Sequence, residues 1–256
     1  MPITFALDSF LLIFARLSGL FISAPIFSSR QMPLRIKALV IVLLSAVMAY
    51  FVPVNYMIEP ATVPYYIAAL LVEVFVGYTM GFVVYVVLAA IQLAGQVMDM
   101  AMGFAIVNVV DPQTGTQIPL MGNLTQTMAL LMYLAMDGHY YLLQAIAQSY
   151  KIVPVLGVKL SQDFFNLLFE ITVYMFIIAV KIAAPILVTV LITDIAMGFI
   201  ARTVPQMNVF IVGLPLKILV GLFALLLLLP VYLWVYSVLF MRFFAYLDRI
   251  LIAMGL

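Results

Sequence analysis

The chain has 256 residues, of which 68% are hydrophobic and only 8% charged, with a formal net charge of +1 and no cysteine. At a mean hydropathy of +1.29, that much apolar side chain exceeds what a soluble fold of this length buries, so lipid or other apolar protein must cover the rest. The near-neutral charge gives no electrostatic basis for nucleic-acid binding, and the missing thiols exclude disulfides and thiolate metal sites.

Six apolar segments follow one another, at residues 10–27, 38–57, 65–93, 124–147, 167–192 and 209–240. The first has no basic region before it and is interrupted by Arg16, which argues against a cleaved signal peptide. A spanning helix needs about 20 apolar residues to cross roughly 30 Å of hydrocarbon, and these segments fit that ruler poorly. The second meets Pro53 after residues 38–52, about 22 Å of helix, whereas the third could run about 43 Å. The fourth has a short apolar core, 128–136, before Asp137-Gly138-His139, and the sixth holds Pro215 and Pro230, each an expected bend. Six alternating crossings would place Arg30, Arg35, Lys37 and Arg202 on one side and Lys151, Lys159, Arg242 and Arg249 on the other, a tie that leaves orientation open. Either this is a weakly biased six-helix protein, or several segments face other protein chains and bilayer rules do not govern them. No internal repeat or long linker divides the chain, so an all-α, integral membrane-type single domain over 1–256 is expected.

Gly77 and Gly81 form a GxxxG face on the third segment, extended by Gly95 and Gly103, that would let a neighbouring backbone approach closely. Four charges lie within apolar segments: Arg16, Glu73, Lys181 and Lys217. A lone charge facing lipid costs at least about 2.5–3.5 kcal/mol, so each should point to protein or water. Glu73 is the only acid among them, and a structural ion pair with one of the three bases is favoured over an ion or proton path. Asp99 and Asp194, nearer segment ends, are expected to be helix-terminal and hydrated.

Residues 94–123 interrupt this pattern with Gly, Met and amides and contain no lysine or arginine. To about residue 109 the stretch reads as helix, where Met98 and Met102, four residues apart on one face, are either ordinary core filling or a deformable seal. Beyond it come Val110, Asp111, Pro112, Gln113, Thr114, Gly115, Thr116, Gln117, Ile118, Pro119, Leu120, Met121 and Gly122, with prolines and glycines that break regular structure. At membrane depth a non-helical backbone must be buried in protein or line a watery cavity. The stretch is therefore either a solvated interhelical loop or a re-entrant plug. Enzyme signatures are missing: there is one histidine, His139, and no HExxH, GxSxG or phosphate-binding loop, so neither enzymatic activity, a metal nor a cofactor is expected.

Four motifs then occur in order: AGQxxDxxMGF at 94–104, DPxTGTQIP at 111–119, ARTVPQMNVF at 201–210 and GLPLK at 213–217. With Arg16, Pro25 and the basic loop 30–37, they resemble the FliR family of flagellar type III export-gate proteins across essentially the whole chain. The resemblance implies helical hairpins assembling with FliP and FliQ into a hetero-oligomeric gate in the bacterial inner membrane, within the flagellar basal body, with FlhB outside. It also implies that the loop matching Val110 to Gly122 plugs the pore through which unfolded flagellar proteins pass. Gly198, Arg202, Pro205, Gln206 and Asn208 read as a hairpin turn at a subunit contact, where Arg202 would donate to helix-end carbonyls and Gln206 and Asn208 would cap or bridge. The alternative from another class is a six-helix small-molecule secondary transporter with Glu73, Lys181 and Lys217 around its substrate.

Overall fold

The computed structural model describes residues 3–29, 32–52, 54, 63–104, 119–204, 206 and 208–255. Among them the structure is all-helical, with seven helices: α1 (Ile3–Ser23), α2 (Leu34–Phe51), α3 (Val63–Met102), α4 (Leu120–Ala135), α5 (Gly138–Ile152), α6 (Gln162–Thr203) and α7 (Val209–Gly255). Many residues here, such as the Val83–Val87 run, are weak helix formers in water. In an apolar medium every backbone N–H and C=O must be bonded within the segment, and that demand overrides side-chain propensity. Among the described residues four helices are long and apolar enough to cross a membrane: α2, α3, α6 and most of α7. At 40, 42 and 47 residues, α3, α6 and α7 are each about twice the length that one crossing requires.

The expected fourth segment is two helices. Asp137 adopts a left-handed conformation (φ 55°), which aspartate tolerates, and its carbonyl accepts the amides of Tyr140 and Tyr141 to start α5. Gly138 lies under the Tyr133 ring, where any Cβ would collide. The prolines of α6 and α7 (Pro185, Pro215, Pro230) sit inside continuous helices.

The helices pack as two compact units. The first comprises 1–87, 133–172 and 239–256. Its core is apolar: Leu12, Ile13, Leu17 and Leu20 of α1, Val76, Met80, Val83 and Val87 of α3, Leu142 and Ile146 of α5, and Leu247, Ile250 and Met254 of α7 are all fully buried. Helices α1 and α3 approach to backbone contact. A Cβ on Gly77 would strike the Arg16 carbonyl, one on Gly19 the Val74 carbonyl, and one on Gly81 the Ser23 hydroxyl. The GxxxG face thus packs on α1. Near the far end of α7, Tyr141 stacks on Phe244 at 4.2 Å and donates to the Asp248 carboxylate at 3.0 Å. The Lys159 amide and Ser161 hydroxyl donate to the Met254 and Ala253 carbonyls, satisfying acceptors that a helix end leaves unpaired. Helix α2 differs from the rest, since only Ile41 and Ser45 along it are buried.

The second unit comprises 88–132 and 173–238. Its buried residues include Ile91, Ala94, Met98 and Met102 of α3, Met121 and Ala129 of α4, Ile182, Ala183 and Ile186 of α6, and Tyr232 and Tyr236 of α7. The Tyr232 hydroxyl donates to the Ile182 carbonyl at 3.0 Å and joins α7 to α6.

Candidate functional site: the buried charges and the base of the 105–118 connection

In the first unit Arg16 and Glu73 are fully buried and pair in two places: Arg16 Nε donates to Glu73 Oε2 at 2.5 Å and Nη2 to Oε1 at 3.0 Å. Nη1 donates to Ser149 Oγ at 2.6 Å, and Nη2 also donates to the Val153 carbonyl at 3.1 Å. Val153 is the C-cap of α5, so the guanidinium sits where the helix dipole and its free carbonyls favour a cation. The guanidinium also lies over the Tyr150 ring, 3.7 Å from its centroid. One side chain thereby joins α1, α3 and α5. A planar fork of five donors suits this task where a lysine would not.

The other two charges in apolar segments lie in the second unit. Lys217 Nζ of α7 pairs with Asp194 Oδ1 of α6 at 2.5 Å, with the side chains 25% and 43% exposed. Lys181 is exposed on α6, among exposed Ile177, Val180 and Val188.

Further along the second unit, α3 ends at Gly103, whose positive φ of 87° stops the helix. One turn before that end, Asp99 is 6% exposed, and its carboxylate accepts the backbone amides of Met121 at 2.9 Å and Gly122 at 3.1 Å. These are first-turn amides of α4. The expectation that Asp99 is hydrated is corrected: the α4 N-terminus replaces water. The approach depends on small residues, since a Cβ on Gly95 would lie 2.5 Å from the Gly122 Cα. Thr125 supports the contact, donating to the Met121 carbonyl at 2.8 Å. Sequence reasoning missed Asp99 as a site residue because its partners are backbone groups. The available signal was Pro119, a residue with no capping side chain, at the start of α4.

Met98 and Met102 are fully buried, and the Met102 thioether packs where Gly221 of α7 leaves room. Met100 is exposed. Of the expected plug residues, Pro119, Leu120, Met121 and Gly122 form the start of α4, while Val110, Asp111, Pro112, Gln113, Thr114, Gly115, Thr116, Gln117 and Ile118 lie outside the described residues. At the α6–α7 turn, Arg202 is exposed in the last turn of α6 and Gln206 is exposed. Asn208 starts α7: its carbonyl and Oδ1 accept the Ile211 amide at 3.2 and 3.4 Å. Pro205 lies outside the described residues.

Nothing in these clusters assembles nucleophile, base and oxyanion donors. They hold helices together. Residues 7–243 match the model of the bacterial export proteins, family 1. The flagellar biosynthetic protein FliR of Bacillus subtilis is 38% identical over 224 residues, 83% of each chain. The chain belongs to the FliR family of bacterial export proteins. The FliR proteins of Pectobacterium carotovorum and Escherichia coli are 29% and 26% identical, over 85% and 84% of this chain and 82% of each relative. As a FliR-family member with four membrane-length apolar helices, the chain is a membrane-embedded component of the flagellar export apparatus.

Proposed function

We propose that this chain is a non-enzymatic subunit of the flagellar type III export gate in the bacterial inner membrane, forming and plugging the pore for unfolded flagellar proteins with FliP and FliQ, and flanked by FlhB. The observation that carries this reading is the length and exposure of α6 and α7. Each has about twice the residues of one bilayer crossing, and both carry large exposed apolar side chains along their length, from Phe169 to Phe199 and from Ile211 to Met241. One bilayer thickness covers about half of such a helix, and the remainder calls for apolar protein. Lys181, exposed in the middle of α6, points the same way, because a charge at that depth is expensive against lipid and tolerable against a partner or a watery conduit. The transporter alternative loses support from the same side chains, since Glu73 is bound by Arg16 and Lys217 by Asp194.

In this reading the segment from Val110 to Gly122 obstructs the conduit. Its last residues, Met121 and Gly122, are held to Asp99 at the start of α4. Met98 and Met102 are both core, so they would join a seal only if the packing around them opened, for Met102 at its contact with Gly221 of α7. Arg202, Pro205, Gln206 and Asn208 are the proposed subunit-contact turn. Deleting Thr114 to Gln117 should raise ion leakage through the assembled complex while leaving co-purification of the partner subunits intact. An assembled complex that leaks no more than the parent would refute the plug. A chain that purifies stably alone and takes up a small molecule saturably would refute the gate.

A further inference from the structure

Helix α4 starts without a cap of its own. The Pro119 carbonyl accepts the Asn123 amide at 2.9 Å, which makes Pro119 the N-cap residue. A capping side chain normally accepts the second or third amide of the helix, and proline has no acceptor to offer. Those amides, Met121 and Gly122, both go to the carboxylate of Asp99, more than twenty residues earlier on another helix. The charge is well placed, because a helix N-terminus favours an anion, and a carboxylate this buried needs such donors. The surrounding residues are chosen for close approach, with Gly95 against Gly122 and Thr125 folded back onto the Met121 carbonyl.

We infer that Asp99 is a positioning residue of the export gate, which caps α4 from outside and thereby ties the start of α4 to the end of α3. One side chain then joins the two helices between which residues 105–118 run in the sequence. Its relevance to export rests on the pore reading above; the tie itself does not.

The test uses the full chain in its native membrane assembly. The chain has no cysteine, so nitroxide labels at Met100→Cys and Asn123→Cys, both exposed, are unique within it. Asp99→Ala should speed exchange of the Met121 and Gly122 amides by about tenfold and broaden the distance distribution between the labels. Asp99→Asn keeps one acceptor and should release one of the two amides. Adding Pro119→Ser to Asp99→Ala gives α4 its own cap: protection should return while the label distances stay broad. Return of the narrow distribution with Pro119→Ser would reduce Asp99 to a substitute cap and overturn the inference, as would an Asp99→Ala chain with unaltered exchange and distances. Neither readout involves leakage, so a failed plug and a failed tie are separable.

Discussion

Glu73 and Asp99 are two buried carboxylates on the same helix, and they are satisfied in different ways. Glu73 meets a guanidinium that makes two bonds to it, while Asp99, among the described residues, takes two backbone amides at the start of α4 and meets no cation. The first solution joins elements through a counter-charge that must itself be satisfied, and Arg16 needs Ser149, the Val153 carbonyl and the Tyr150 ring to be so. The second needs only a helix end and room to reach it. A buried ion pair is thus an all-or-none device, because removing one member strands the other. A carboxylate on a helix end fails more gently, since the amides it leaves can find water or a neighbouring acceptor.

The largest effect follows from that asymmetry. Arg16→Ala should destabilise the first unit by about 3–5 kcal/mol, because it leaves Glu73 charged and dry. The expected result is loss of the protease-resistant chain from membranes. The double variant Arg16→Met with Glu73→Met should recover most of it, since an apolar replacement of a buried pair is often neutral or better. If the single and double variants are equally depleted, the pair has a role beyond mutual neutralisation.

Next in size is the contact that brings the pair together. Gly77→Ala drives a Cβ into the Arg16 backbone carbonyl, where no flexible side chain can yield. Overpacking of this kind costs roughly 1–3 kcal/mol. The loss should appear as faster proteolysis of membrane-embedded chain, and Gly198→Ala, where a Cβ meets open space, is the control that should not show it. Asp99→Ala is expected at about 1–2 kcal/mol, the range for losing a helix cap, with its structural signature at α4.

These sites also differ in how far the sequence reveals them. Arg16 and Glu73 stand out because charge is rare in apolar segments, but the choice of Arg16 over Lys181 and Lys217 depends on which helices are neighbours, and spacing does not encode that. Gly77 and Gly81 announce a close approach without naming α1 as the partner. The break at Asp137-Gly138 is legible as turn chemistry. The continuation of α7 to Gly255, past the apolar limit at 240, is hidden by Arg242, Asp248 and Arg249, which read as an exit from the apolar pattern. Their helix persists because its other face buries Phe243, Leu247, Ile250 and Met254. Asp99 is the least legible of all, for backbone amides carry no residue identity.

The smallest effect is expected at Lys217. Its pair with Asp194 is open on one side, and half-exposed pairs of this kind contribute about 0.2–1 kcal/mol. Lys217→Gln should therefore leave chain level and protease resistance close to wild type, far from the Arg16→Ala result. That outcome fits a side of α6 and α7 that stays wet in the assembly. A depletion approaching that of Arg16→Ala would mean that a partner covers the pair and dries it. Pairing the substitution with Asp194→Asn separates the two cases: in a wet setting the double variant resembles each single one, whereas in a dry setting it recovers much of what Lys217→Gln alone loses, because the stranded carboxylate is gone.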